Sequence, residues 1–168
     1  MNYSLEAINQ MTQPEFIRCF GHLFEETPAI AQQAWITRPF KGLNDLHDKM
    51  VAIVHKMTPD EKLSLICAHP ELGERVQMAA ASVREQASAR LDQLNAEDYQ
   101  RIRTLNAAYK EKFDFPFVVA VKGLAVKDIL VAMEARLGAQ REEEMARSLS
   151  EICKIARFRL EALIAETV

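Results

Sequence analysis

The fold class is decided by residues 140–164, which read QREEEMARSLSEICKIARFRLEALI. Successive residues of a helix lie about 100° apart, so apolar residues three and four positions apart share one face. Five apolar side chains form such a stripe, namely Leu149, Ile152, Ala156, Leu160 and Leu163. The stretch therefore predicts a long helix from about Gln140 to Ile164 with one buried face.

Two earlier stretches carry complete helix-start signals. Thr12–Glu15 (TQPE) and Thr58–Glu61 (TPDE) each begin with a hydroxyl residue, place a proline in the first turn and end on glutamate three positions later. This is the pattern of a capping box, in which the two side chains satisfy backbone N–H groups at the helix start. Further helices are predicted after Asn44, after Asn95, and over Val126–Leu137 with Gly138 closing it.

One stretch does not have a helical pattern. Phe115–Val121 (FPFVVAV) is rich in aromatic and β-branched residues, and Pro116 disfavours helix at the residue before it. We predict a lone extended segment near residues 115–122. The whole chain, residues 1–168, is predicted to be an all-α, single-domain helical bundle that contains this one short segment.

Composition excludes several classes of protein. The 168 residues carry a net charge of −3 with both signs interspersed, so we expect no nucleic-acid partner. The longest apolar run, residues 115–121, is far below the ~20 residues of a membrane span. The N-terminus has no export signal, and the three cysteines are far apart, so a cytoplasmic location is expected.

Common cofactor and metal motifs are missing from the sequence. The five glycines never form a phosphate-binding or dinucleotide-binding loop, or the nucleophile elbow of hydrolases. Cys19 and His22 lie one helical turn apart, but no further ligand pair is nearby, and core packing or surface polarity explains them as well. We expect no metal site.

His69 follows an apolar helix end and precedes Pro70, which pushes it out of helical geometry. A side chain leaving a rigid helix at the mouth of a loop is well placed for catalysis. The alternative is that His69 caps the helix C-terminus, where a positive charge is favoured.

Ser82–Glu85 (SVRE) predicts a third capping box. The same helix start would also direct free N–H groups at a polar ligand, with the Glu85 carboxylate able to take or hold a proton. The two interpretations are compatible.

Arg159 lies at the edge of the apolar stripe of the last helix. A guanidinium on a largely buried face needs an anion, because an unpaired buried charge is very costly. The partner is either a protein carboxylate or a ligand carboxylate held by two hydrogen bonds. Residues 115–123 offer a similar choice, since their unpaired backbone groups either bind an amide-like or urea-like ligand or belong to a buried packing segment.

Several stretches, taken in order, resemble one family. They are Trp35–Phe40 (WITRPF), Ala68–Leu72 (AHPEL), Ser82–Ala89 (SVREQASA) with Leu91, Leu105–Tyr109 (LNAAY) with Lys112–Phe117 (KFDFPF), and Lys154–Leu160 (KIARFRL). Over nearly the whole chain the sequence resembles the 2-oxo-4-hydroxy-4-carboxy-5-ureidoimidazoline (OHCU) decarboxylase family. That family performs the last step of the uricase route of urate degradation, which forms (S)-allantoin and CO2.

The resemblance implies an all-α homodimer with no metal and no organic cofactor. It assigns catalysis to His69 as proton donor, to the Glu85 carboxylate and to Arg159. It also implies substrate contacts from Pro70, Ser82, Glu85, Gln86, Val119, Ala120, Val121, Lys122, Gly123 and Arg159. The stretch between Gly73 and Ser82 is shorter than in several relatives. Two other functions remain open, a non-catalytic helical binding or regulatory module and another cofactor-free ureide lyase or hydrolase.

Overall fold

The computed structural model describes residues 2–72 and 95–164, which form eight helices and no strand. The helices are α1 Leu5–Gln10, α2 Gln13–Phe20, α3 Ala29–Ile36, α4 Leu43–Lys56, α5 Pro59–Ala68, α6 Ala96–Phe113, α7 Val126–Arg136 and α8 Arg141–Leu163. An isolated parallel bridge joins Tyr3 to Ile164. The prediction of an all-α fold is confirmed.

The chain divides into two compact units. The first comprises Met1–Ala68 with Ile152–Val168, and the second comprises His69–Glu151. The boundaries fall at the end of α5 and within α8, so α8 contributes residues to both units. The single domain expected over residues 1–168 stays a prediction.

Side-chain caps fix where α2, α5 and α6 begin. At α5, Thr58 N–H donates to Glu61 Oε2 at 2.8 Å and Glu61 N–H donates to Thr58 Oγ1 at 3.2 Å, which completes the predicted capping box. At α2, Glu15 Oε2 accepts from both the N–H and the hydroxyl of Thr12, and these bonds hold the pKa of Glu15 below its usual value. Asn95 caps α6 by accepting from Asp98 N–H at 2.7 Å.

Aromatic rings form much of the core of the first unit. Phe16 contacts Phe20 and Phe40, with ring centroids 4.8 and 5.7 Å apart. Fully buried aliphatic side chains complete this core, including Ile8, Ile30, Leu46, Val54 and Leu65. Helices α2 and α4 therefore each bury apolar residues spaced three or four positions apart, namely Phe16 and Phe20 in α2 and Leu46, Met50 and Val54 in α4.

The second unit is built around a second aromatic cluster. The ring centroid of Tyr109 lies 4.6 Å from that of Phe113, 5.9 Å from that of Phe115 and 5.3 Å from that of Phe117. Helix α6 ends at Phe113 because Asp114 adopts a left-handed conformation with φ 61°. The chain then continues without helix through residues 115–121, as predicted.

Two helices were not predicted, and one begins earlier than expected. Helices α1 and α3 have only 6 and 8 residues, too short for their periodicity to stand out. Helix α4 begins at Leu43, after Gly42, rather than after Asn44. None of the described helices has both the length and the apolar composition needed to cross a lipid bilayer.

Candidate active site

His69 stands directly after α5 and belongs to the second unit. Its side chain is enclosed, with only 4% of the residue exposed, and Pro70 beside it is half-buried. Two residues further on, Glu71 Oε1 accepts from Lys110 Nζ at 3.0 Å, which ties this turn to α6. The imidazole is thus held at the end of a capped helix, inside the protein rather than at its surface.

Arg159 lies on α8 in the first unit and has a protein carboxylate as its partner. Its Nη2 donates to Glu25 Oε1 at 2.7 Å, and its Nη1 donates to the carbonyls of His22 and Leu23 at 3.3 and 3.2 Å. Both charged side chains are about one quarter exposed. Of the two alternatives for its anion, the structure therefore provides the protein carboxylate, and the turn between α2 and α3 holds the guanidinium in place.

Three predicted site residues, Ser82, Glu85 and Gln86, lie outside the described residues, as does the short stretch after Gly73. His69 and Arg159 fall in different compact units. The convergence of His69, Glu85 and Arg159 on one ligand therefore stays a prediction.

The predicted extended segment is buried through its first six residues, 115–120. Val119 and Ala120 are 6% and 8% exposed, and neither makes a backbone hydrogen bond to another described residue. After them the chain turns, with Leu124 N–H donating to Val121 O at 3.0 Å and Gly123 at φ 82°. Buried N–H and C=O groups are normally paired, so those of Val119 and Ala120 would need partners beyond the other described residues.

A buried ion pair beside this segment was not predicted from the sequence. Arg136 Nε donates to Glu144 Oε1 at 2.5 Å, and both side chains are almost fully enclosed. The signal was present, because Ile129, Met133 and Arg136 share one face of α7 at spacings of four and three. A positive charge on the apolar face of a helix predicts an anionic partner, as it did for Arg159.

The first unit also contains a cavity of about 490 Å³ between α3, α4 and α5. Its lining includes three acidic side chains, Glu26, Asp60 and Glu61, together with Lys56. Ala68, the residue before His69, forms part of its wall, but none of the predicted site residues that the structure describes does.

The cysteines do not form a metal cluster with other described residues. Cys19 Sγ donates to Tyr3 Oη at 3.3 Å, which accounts for Cys19 by local packing. Cys67 is exposed, whereas Cys153 is buried, and burial raises the pKa of its thiol to about 11. The three thiols thus differ widely in accessibility.

A protein-family model matches this chain. The OHCU decarboxylase family model matches residues 9–161, which is nearly the whole chain. The chain belongs to the OHCU decarboxylase family. The resemblance inferred from the sequence is thereby confirmed.

Relatives of known name support membership of the OHCU decarboxylase family. The chain is 39% identical over 160 residues to the 2-oxo-4-hydroxy-4-carboxy-5-ureidoimidazoline decarboxylase of Halalkalicoccus jeotgali, covering 95% of this chain and 91% of that protein. It is 41% identical over 164 residues to the uric acid degradation bifunctional protein PucL of Bacillus subtilis. That alignment covers 98% of this chain, which spans only 33% of the length of PucL.

A solved structure shares the fold of this OHCU decarboxylase family member. It is the crystal structure of (S)-allantoin synthase, with a TM-score of 0.78 and 25% sequence identity. The match covers 96% of this chain and 54% of the other. The helical arrangement therefore agrees with that of a crystallised protein.

Proposed function

We propose that this chain converts OHCU to (S)-allantoin and CO2, the last step of the uricase route. The observation that carries the proposal is the family match over residues 9–161, joined by 39% identity across 91% of a named OHCU decarboxylase. The buried, hydrogen-bond-poor backbone at Val119 and Ala120 suits a ureide ligand and supports the same conclusion.

The chemistry of the substrate explains why we propose no cofactor. OHCU carries its carboxylate on a ring carbon next to a C=N bond. When the carbon–carbon bond to CO2 breaks, the electron pair moves into this imine, so the substrate itself accepts the charge. The protein has to position the substrate, polarise it and deliver one proton.

We assign the proton to His69. Histidine is the side chain best suited to exchange a proton near neutral pH, and enclosure at the end of α5 fixes the direction from which it is delivered. Delivery to one face of the planar intermediate would produce the S isomer only. Pro70 would contact the substrate beside it.

Arg159 and Glu85 would hold the substrate. The guanidinium of Arg159 is anchored by Glu25 and two carbonyls, which leaves its Nε–H without a hydrogen bond to any described residue. That donor could bind an anionic group of the substrate. Glu85, with Ser82 and Gln86, would orient the ureido or hydroxyl groups, and the backbone of Val119–Gly123 would complete the contacts.

We further propose that the partner is a second copy of the chain, as the family resemblance implies. A cytoplasmic location is proposed because the three free thiols suit a reducing compartment.

The decisive experiment is a coupled assay. The chain is added to urate, uricase and the hydrolase that opens the uricase product, and circular dichroism follows the formation of (S)-allantoin. One positioned proton donor contributes about 10²–10⁴-fold to a rate, so His69→Asn should lose activity on that scale. His55→Asn, which changes an exposed histidine of α4, is the matched control.

Two results would contradict the proposal. Near-normal stereospecific formation of (S)-allantoin by His69→Asn would remove His69 from the role of proton donor. No acceleration by the unmodified chain would leave the two alternatives, another cofactor-free ureide lyase or hydrolase and a non-catalytic binding or regulatory module.

A further inference from the structure

The carbonyl that precedes Val119 and Ala120 is held from behind by a buried guanidinium. Arg136, 9% exposed at the end of α7, donates from Nη1 to Val118 O at 2.7 Å. The guanidinium carbon also lies 4.3 Å from the centroid of the Phe117 ring. Arg136 therefore fixes both the side chain and the backbone of the residues that lead into the proposed substrate-binding segment.

The other two guanidinium nitrogens of Arg136 are hydrogen-bonded within the same unit. Arg136 Nε donates to Glu144 Oε1 at 2.5 Å and Nη2 donates to Ser148 Oγ at 3.3 Å. Glu144 is only 2% exposed and also accepts from Tyr109 Oη at 2.6 Å. These donors and acceptors form one network, which we call the Arg136 network, of Tyr109, Val118, Arg136, Glu144 and Ser148.

Stability alone does not explain such a network. Removing two charges from water costs roughly as much as their attraction returns, and well-packed apolar replacements of buried ion pairs are often equally stable. Unlike an apolar side chain, an arginine forms hydrogen bonds in fixed directions, because the N–H donors of its guanidinium lie in one rigid plane. These bonds determine where each acceptor lies. The acceptor at one end of this network is the backbone of the segment at Val118.

The backbone of the segment makes few other hydrogen bonds to described residues. No strand pairs with it among the described residues, and Val119 and Ala120 make no backbone hydrogen bonds there. Beyond them, the turn closed by Val121 and Leu124 is fixed by a backbone hydrogen bond. The conformation of the two unpaired residues therefore depends on the bond from Arg136 at one end and on this turn at the other.

We propose that Arg136 is a positioning residue for the ureide substrate: its bond to Val118 O sets the backbone of Val119 and Ala120 in the geometry that binds the ureido group. The inference rests on the proposed function, since it requires the substrate to contact this backbone. Arg136 itself does not touch the substrate, and its effect passes through the segment.

The test separates positioning from stability with two variants. The double variant Arg136→Met with Glu144→Leu removes both buried charges together, so no unpaired charge remains, but it also takes partners from Tyr109 Oη and Val118 O. We therefore expect its urea midpoint to fall no further than that of Tyr109→Phe. The KM of the double variant in the coupled assay should nevertheless rise about tenfold or more, with kcat changed much less, because displaced binding groups weaken substrate placement.

Tyr109→Phe is the matched control within the network. It removes one hydrogen bond from Glu144 but keeps the bond from Arg136 to Val118, so urea resistance should fall while KM stays near that of the unmodified chain. A purely structural role predicts that KM follows stability and therefore changes alike in the two variants.

The experiment distinguishes failure of the positioning role of Arg136 from failure of the proposed function. If the unmodified chain forms no (S)-allantoin, the proposed function is wrong. If it is active and the folded double variant keeps its KM, the positioning role of Arg136 is wrong.

Should the double variant not fold, Arg136→Lys replaces it, since one ammonium group paired with Glu144 does not also reproduce the Nη1 bond to Val118 O. The same rise in KM is expected, and an unchanged KM overturns the inference. Direct titration with (S)-allantoin by calorimetry provides a second readout, in which weaker binding by Arg136→Lys is expected.

Discussion

Tyr109 illustrates how a single buried hydroxyl links stability to pH. Burial, followed by its hydrogen bond to Glu144, raises the pKa of Tyr109 well above its ordinary value. A tyrosine in the unfolded chain ionises near pH 10. Above that pH the unfolded state loses a proton that the folded state keeps, so this contribution to stability is complete below about pH 10 and is lost as the pH rises beyond it.

We therefore predict a pH-dependent difference between the unmodified chain and Tyr109→Phe. At about pH 8 the variant should be less stable by about 1.5–3 kcal/mol, the usual worth of a hydrogen bond to a charged group. The difference should shrink as the pH rises through 10 and 11. Urea unfolding followed by far-ultraviolet circular dichroism measures it, and a difference that stays constant with pH would contradict the assignment.

Arg159 offers a second test at the level of one side chain. If its guanidinium binds an anionic group of the substrate, Arg159→Met should lower kcat/KM by about 10- to 150-fold, the equivalent of one charged hydrogen bond. Arg157→Met is the matched control, because Arg157 lies on the same helix and pairs with Glu161 at 2.8 Å. Equal losses in the two variants would indicate a general effect on α8.

How far single residues can be predicted depends on whether their partners are close in the sequence. The position of Arg159 at the edge of an apolar face was readable from helical spacing. Its partner Glu25 was not, because 134 residues separate the two. Arg136 and Glu144 are separated by only 8 residues, so this pair was predictable from helical spacing and its nearby acidic residues.

Among the helices, α5 has the closest connection to the proposed chemistry, because its last residue precedes His69. Thr58→Ala removes the acceptor of Glu61 N–H and should destabilise the protein by about 0.5–2 kcal/mol. Thr104→Ala is the matched control, since the Thr104 hydroxyl only bonds back to Gln100 O within α6. Urea midpoints compare the two, and equal midpoints would show that the cap contributes nothing.

Helices with strong local signals were predictable from the sequence, and short ones were not. The boxes at Thr12 and Thr58 and the cap at Asn95 marked the starts of α2, α5 and α6 correctly. Helices α1 and α3 have too few turns to show periodicity, and tertiary packing in the first unit stabilises them instead. The extended segment was found because Pro116 and β-branched residues both oppose helix.

At the scale of the whole molecule, the proposal of a homodimer is directly measurable. Light scattering after size exclusion should give twice the chain mass of 19.1 kDa at micromolar concentration. The expectation comes from the family resemblance, because an interface between copies leaves no periodic signal in a single sequence. A mass of one chain across the concentration range would contradict it.

The exposed thiol of Cys67 makes the candidate site observable in solution. It lies two positions before His69, while Cys153 is buried with a thiol pKa raised to about 11. A maleimide dye should therefore attach at Cys67 first and leave Cys153 unlabelled. Emission from that dye would then report the arrival of a ligand near His69, without relying on the optical activity of the product.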